Sequence, residues 1–183
     1  MIALVDESIL IAGNGCYALS CVVIPIERKA AVRRTVLKAT PGRTFHWTNE
    51  GTAIRRAMLG VAAAEAASLV AYVHRPALRR DHESIRAMLL ATLLSDLAKN
   101  EVIELLIESR QEHNDLRDRR VIVNRQRSGV VSDELDYRHT GPRQEPLLWL
   151  ADALAGAVTT AQSRKDGSYL AALPGDRLVV SNL

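Results

Sequence analysis

The chain alternates between short apolar runs and longer amphipathic stretches. The short runs at 1–5 and 102–107 are apolar except for Glu104, as is typical of strands inside a sheet. A turn at Gly13-Asn14-Gly15 separates the first run from a second apolar segment, which predicts a hairpin. The predicted strands therefore comprise those two runs and residues 17–24, 68–74 and 135–139. Residues 177–180 form either an edge strand or coil.

Helical periodicity fills the intervals between these segments. Residues 81–99 place Ile85, Met88, Leu89 and Leu93 on one stripe, which favours an amphipathic helix. The other predicted helices are 27–38, 50–67, 111–127 and one that starts at Pro146. Residues 44–48 form either a short strand or an extended loop. This order predicts one α/β domain over residues 1–183, with a mixed β-sheet flanked by helices.

Composition narrows the class of protein only slightly. The chain is 48% hydrophobic and 25% charged, with a formal net charge of +3, which permits a nucleic-acid partner without requiring one. Aromatic residues make up 4%, which disfavours a base-stacking platform. Cys16 and Cys21 lie at odd separation in one strand, so a mutual disulfide is not expected. No apolar run reaches about 18 residues, and we expect a cytoplasmic protein without a membrane segment.

Three carboxylates end or interrupt apolar segments. Asp6 and Glu108 follow the two inner strands, and Asp152 is the only charged residue between Leu147 and Val158. Sites of open α/β sheets lie beyond the carboxyl ends of strands, so these acids are expected to meet there. Their mutual repulsion would be relieved by Mg²⁺ or Mn²⁺, which prefer oxygen ligands. Alternatively, Asp152 is a partly exposed helix residue and Glu108 caps the next helix.

Adjacent strand residues point to opposite faces, which separates Asp6 from Glu7. Asp6 shares its parity with Ile2 and Leu4, so it is the preferred ligand. Glu7 either supports the site from behind or forms an ion pair with an arginine.

Arginines and acids are mixed along residues 110–143. This run is either a solvated, salt-bridged face or a flank that binds phosphate, which suits the planar fork of arginine. In the second case Arg110 and Arg120 are the candidate substrate contacts, since Arg110 would share a side with Glu108 if the strand continued. Asp118 would approach the metal if its helix turned it inward.

The sequence lacks the residue patterns of several other enzyme classes. Ser8 and Ser109 have no histidine nearby in sequence, which disfavours acyl transfer. No P-loop or dinucleotide fingerprint is present. His74, His82 and His113 show no zinc-ligand spacing with one another.

Four segments resemble, in their order, the uncharacterised domain family DUF3800. They are the opening Asp6-Glu7-Ser8 strand, Phe45-His46-Trp47, Glu108-Ser109-Arg110 and the helix around Asp152. The resemblance spans roughly residues 2–160 and implies a ribonuclease H-like fold. It also implies that Asp6, Glu108 and Asp152 bind divalent metal. A histidine recurs in the family at the place of His46, which implies a proton shuttle or substrate contact there.

These observations favour a metal-dependent nuclease acting on phosphodiester bonds. The alternative is a nucleic-acid- or protein-binding module whose acids bind metal weakly and perform no chemistry. A third possibility is an enzyme for another phosphate-bearing substrate. The sequence does not decide whether the substrate is DNA or RNA or whether cleavage is endo or exo. It also leaves the oligomeric state open.

Overall fold

A computed structural model describes residues 1–11 and 15–183, with only the backbone described for Arg164. Within these residues, six strands form one sheet and five α-helices cover it. The strands are β1 (Ile2–Leu10), β2 (Cys16–Ile24), β3 (Ser68–His74), β4 (Glu104–Glu108), β5 (Asp136–Thr140) and β6 (Leu178–Asn182). The helices are α1 (Lys29–Ala39), α2 (Thr52–Glu65), α3 (His82–Leu97), α4 (Glu112–Arg127) and α5 (Leu148–Arg164).

The sheet is mixed, with the strand order β5-β4-β1-β2-β3-β6. β2 is antiparallel to both β1 and β3, whereas β1 with β4, β4 with β5, and β3 with β6 are parallel. The antiparallel hairpin beside strands reached through helices is therefore confirmed. The tail forms the edge strand β6 instead of coil.

Some predicted boundaries are wrong. The first strand does not end at Asp6 but continues to Leu10, because β2 supplies ladder partners over this whole length. Of the two alternatives for residues 44–48, the structure shows the loop, which is extended at His46 before a 3₁₀ turn begins at Trp47. The last helix begins at Leu148, two residues after Pro146. Of the predicted turn at Gly13-Asn14-Gly15, the first two residues lie outside the described part of the chain.

Strand parity divides the core into two layers. Ile2, Leu4 and Leu106 lie on the face covered by α1, α2 and α5, here called the α5 face. Val5 and Ile107 lie on the opposite face, covered by α3 and α4 and called the α3 face. Any side chain on β1 or β4 is therefore assigned to a layer by whether its number is even or odd.

Helix α5 lies directly across the central strands. Its residues from Leu148 to Val158 are buried without exception, and the alanines among them allow close approach to the sheet. Ser20 on β2 donates a hydrogen bond of 2.7 Å to the carbonyl of Ala151. This bond fixes the helix one residue before Asp152. In residues 1–11 and 15–183, no helix combines the length and apolar character needed to cross a bilayer.

Candidate active site

The three acids lie together at one end of the sheet on the α5 face. Asp6 on β1 and Glu108 on β4 have the parity of Leu4 and Leu106, and Asp152 faces them from α5. Asp6 is 6% exposed and Asp152 is 7% exposed. The charge of Asp152 acts on both Asp6 and Glu108 and raises their pKa values. The structure thus brings together the acids that the sequence singled out.

Burial and repulsion raise the pKa values of two of these carboxyls. For Asp6, burial raises the pKa well above its usual value, and the charges of Glu7, Glu108 and Asp152 raise it further. For Glu108, burial and then the charge of Asp152 raise the pKa, while a hydrogen bond with Asp6 opposes the rise. Ionisation of either group therefore costs stability as the pH rises through its folded pKa. The metal-free site favours retaining a proton.

Asp152 is held by the loop that precedes α2. Its Oδ2 accepts a hydrogen bond of 2.9 Å from the backbone N–H of Trp47. The same oxygen lies 3.1 Å from Nδ1 of His46. The hydrogen bond with Asp152 raises the pKa of His46, whose side chain is 59% exposed at the edge of the site. His46 is therefore brought to the acids, as the sequence predicted.

The His46 pKa provides a local test of this geometry. We expect Asp152→Asn to lower the pKa of His46, because the raised value comes from the hydrogen bond and charge of Asp152. An NMR titration of the histidine Cε1–H resonances in chelator would measure the change. An unchanged His46 pKa would contradict the contact.

Trp47 positions the loop through contacts that the sequence did not suggest. Its ring is nearly buried and packs edge to face against Tyr169, with centroids 4.9 Å apart. Gly156 of α5 leaves the space that the indole occupies, since a Cβ there would overlap the ring. A glycine inside an otherwise strong helix was the available signal, because it indicates close packing.

Gly156→Ala is expected to lower the free energy of unfolding by about 1–2 kcal/mol. Overpacking costs about 1–3 kcal/mol, and the better helix propensity of alanine offsets up to about 1 kcal/mol. Urea unfolding measures the change. Gly60→Ala on α2 is the matched control, because a Cβ there meets nothing within 4 Å, and it should be neutral or stabilising. Equal effects of both substitutions would contradict the packing.

An open cavity of about 690 Å³ leads to the acids. Glu108, Asp152 and His46 line it, together with loop residues 42–45 and 142–143. At its rim Arg43 is bound by both carboxylate oxygens of Glu50, at 2.7 and 2.8 Å. Within the described chain, the exposed Arg143 makes no ion pair. The cavity therefore carries a free cation close to the carboxylates.

Arg110 lies elsewhere, because β4 ends at Glu108 and the chain then turns into α4. The backbone N–H of Arg110 donates to Oδ1 of Asp115 at 2.9 Å. Its guanidinium lies on the α3 face, 2.7 Å from Glu83 and 3.3 Å from Asp118. The premise that the strand continues to Arg110 is wrong, and this arginine is occupied by carboxylates.

Arg120 is likewise remote from the acids. It is exposed on the outer surface of α4, the helix that covers the α3 face. The sheet separates this helix from α5 and Asp152. The structure therefore brings neither arginine chosen from the sequence to the three acids.

A second group of charges fills the α3 face behind the acids. Arg86, whose side chain is 1% exposed, binds Glu7 at 2.5 Å and Asp118 at 2.8 Å. His139 completes the group, with Nε2 3.3 Å from Asp118. Of the alternatives for Glu7, the structure thus shows the ion pair with an arginine. Asp118 does turn inward, but on the side of the sheet away from Asp152.

The acids are not arranged as a finished metal cage. Among residues 1–11 and 15–183, no three His, Cys, Asp or Glu side chains surround a metal-sized space. The donor set nevertheless fits a hard cation, because it consists of carboxylate oxygens whose repulsion a cation would relieve.

Comparisons with known proteins establish the fold. No protein-family model matches the chain. No curated protein matches it either. Among solved structures, the chain is similar to RNase HII in its complex with PCNA from Archaeoglobus fulgidus, with a TM-score of 0.51. The match covers 91% of this chain and 77% of that chain at 12% sequence identity. The protein therefore has a ribonuclease H-like fold, as the sequence predicted.

Proposed function

We propose that the protein is a divalent-metal-dependent nuclease. The observation that carries the proposal is the convergence of Asp6, Glu108 and Asp152 where the parallel pairing of β1 with β4 ends, beside a cavity that Glu108 and Asp152 line. The ribonuclease H-like fold adds support, since the similar solved chain is a ribonuclease. Fold similarity alone does not carry function, so the argument depends on the acids.

Asp6, Glu108 and Asp152 would hold one or two Mg²⁺ or Mn²⁺ ions. Such ions, when bound, supply Lewis acidity at a scissile phosphate and lower the pKa of the attacking water. Two of the three carboxylates are nearly buried and fixed by backbone N–H groups: Glu7 N–H binds Asp6 at 2.7 Å, and Trp47 N–H binds Asp152. Their positions are therefore set before substrate arrives.

His46 would exchange a proton with the reacting groups. When Nδ1–H donates to Asp152, Nε2 is the remaining ring nitrogen and can accept a proton. His46 lines the open cavity, so substrate can reach it. Arg143 at the rim would bind a phosphate of the incoming strand, a role the sequence had given to Arg110 and Arg120.

The alternative is a nucleic-acid-binding module without chemistry. The Asp6–Glu108 hydrogen bond favours it, because paired carboxyls can be stable as a protonated group without any cation. Both functions share the substrate and differ in whether the bond is cleaved.

A cleavage panel tests the proposal. Single- and double-stranded DNA, RNA and hybrid oligonucleotides are incubated with the protein in Mg²⁺, in Mn²⁺ and in chelator. Cleavage of at least one substrate with metal and none in chelator is expected. Binding in chelator without cleavage under any condition would favour the binding module. Absence of both would reject both functions.

Metal should also stabilise the folded protein. A cation that binds the acids only in the folded state raises the melting temperature by mass action and removes their repulsion. We expect millimolar Mg²⁺ or Mn²⁺ to raise the melting temperature of the wild type and to have little effect on Asp152→Asn. Asp133→Asn, on an exposed loop, should respond like the wild type. An equal response in Asp152→Asn would remove these acids as the metal site.

A further inference from the structure

A second cavity, separate from the one at the acids, is lined by Trp47. It has a volume of about 250 Å³ and lies between the end of β1, the start of α2 and the last turns of α5. Among the described residues, Arg55 is the only charged group that lines it, and the other polar lining groups are hydroxyls of Ser8, Thr48, Thr159, Thr160 and Ser163. A cation in a cavity whose described lining holds no carboxylate matches the chemistry of an anion.

Arg55 is held in place without being neutralised. Its Nε donates a hydrogen bond of 2.9 Å to the carbonyl of Trp47, and its guanidinium lies 4.7 Å from the centre of the Trp47 ring. No ion pair involves it in the described residues, unlike Arg43, Arg86 and Arg110. The guanidinium also lies within hydrogen-bonding reach of the Tyr169 hydroxyl, and the remaining N–H groups of the planar fork suit a phosphate.

The hydroxyls are also ordered. Thr160 donates to the carbonyl of Gly156 at 2.7 Å, and Thr159 lies 3.0 Å from Ser8. These bonds fix a row of hydroxyls on successive turns of α5. Thr159, Thr160 and Ser163 donate their protons to carbonyls of α5. These hydroxyls therefore present lone pairs that suit a sugar hydroxyl, and the contact with an anion falls to Arg55.

Trp47 connects this cavity with the acids. Its backbone N–H binds Asp152, and its backbone carbonyl binds Arg55. Thr159 follows Asp152 by seven residues on α5, which corresponds to about 10 Å along the helix. Nucleotides advance by about 3.4 Å along the axis of a duplex strand. A strand cleaved at the acids would thus reach this cavity within about three nucleotides.

We propose that the Arg55 cavity binds a backbone phosphate of the nucleic-acid strand, a few nucleotides from the bond cleaved at the acids. The link to a substrate strand rests on the proposed nuclease function. The anion site itself rests on Arg55, which makes no ion pair in the described residues, and on Trp47, which holds it. It adds a second phosphate contact to the one proposed for Arg143.

The first test uses inorganic phosphate and does not require nuclease activity. The chain has two tryptophans, so NMR resolves the indole N–H of Trp47 from that of Trp149, which donates to the carbonyl of Pro142. Phosphate should shift the Trp47 resonance saturably in the wild type and not in Arg55→Ala. Arg56→Ala, an exposed neighbour on α2, is the charge-matched control and should respond like the wild type. No saturable shift in the wild type, or the same shift in Arg55→Ala, overturns the anion site.

The second test measures oligonucleotide binding in chelator at several salt concentrations. Loss of one phosphate contact should lower the slope of log K against log salt by about 0.7–0.9 in Arg55→Ala, with Arg56→Ala closer to the wild type. Melting temperatures and an Arg55→Gln variant, which keeps a side chain over Trp47, separate this loss from misfolding. An unchanged slope overturns the inference while the nuclease function stands. A phosphate response without any oligonucleotide binding retains the anion site and overturns its assignment to a nucleic-acid strand.

Discussion

Asp6→Asn is expected to abolish metal-dependent cleavage while leaving nucleic-acid binding intact or tighter. Removing one preorganised electrostatic group from an active site commonly costs about 10²–10³-fold in rate, and a lost metal ligand should cost at least as much. Binding should not weaken, because the substitution removes a negative charge that repels the phosphate backbone. Rates in Mg²⁺ or Mn²⁺ and affinities in chelator, measured on one preparation, separate these effects.

The loss of activity should occur without loss of stability. Asp6 is buried and its pKa is raised by burial and by neighbouring acids, so its ionised form destabilises the metal-free protein at neutral pH. An asparagine can still accept the hydrogen bond from Glu7 N–H. The matched control is Asp136→Asn, because Asp136 is exposed and pairs in register with the far end of β4. Cleavage by Asp6→Asn at the rate of Asp136→Asn would exclude Asp6 from the chemistry.

Arg86→Met should reduce the free energy of unfolding by about 3–5 kcal/mol, the usual cost of removing one partner from a buried ion pair. Arg86 binds both Glu7 and Asp118 and is completely buried. Without it, two carboxylates stay in the α3 face with fewer donors. Urea unfolding at neutral pH measures the loss. Arg119→Met, on the exposed side of α4, is the control and should change stability by less than about 0.5 kcal/mol.

The dependence of the free energy of unfolding on pH in the acid range gives a second test of the ion pairs around Arg86. Burial raises the pKa of Asp118, but hydrogen bonds from His139 and Arg86 outweigh it and lower the pKa to about 2. Asp118 therefore contributes stability above its unfolded pKa, and this contribution is lost as the pH falls toward 2. Arg86→Met should flatten this dependence. A variant as stable as the wild type with an unchanged pH dependence in the acid range would refute the role of Arg86.

The two charged groups occupy opposite faces at one end of the sheet. Glu7 and Asp6 are neighbours on β1, so the Arg86 group is attached to the same strand as the acids. In the group on the α3 face, Arg86 and Arg110 balance the charges of Glu7 and Asp118. The acids around Asp6 have, among the described side chains, only His46 and the rim arginines near them. Because the carboxylates on the α5 face lack such partners in the described part of the chain, they favour a bound cation there. Glu7 and Asp118 instead stabilise the fold through their ion pairs with Arg86.

Local pattern in the sequence determined most of the elements and the choice of acids. Period-two parity separated Asp6 from Glu7 correctly, because side-chain alternation needs no knowledge of distant residues. The isolation of Asp152 in an apolar helix pointed to a buried carboxylate. These features depend on neighbours within a few residues, so they are visible in the chain itself. The predicted roles of the acids as metal ligands stay predictions until metal binding is measured.

Tertiary structure decided which arginines face the acids and what holds Asp152. Arg110 was predicted from a strand that would have continued, but Asp115 binds its backbone N–H and turns it to the α3 face. Trp47 reaches Asp152 from 105 residues away in sequence, and no local pattern encodes such a contact. The partners of a long cation are set by which helices cover each face of the sheet. The sequence therefore determined which face of the sheet each strand carboxylate occupies. Only the packing of helices on both faces determined which residues contact the carboxylates.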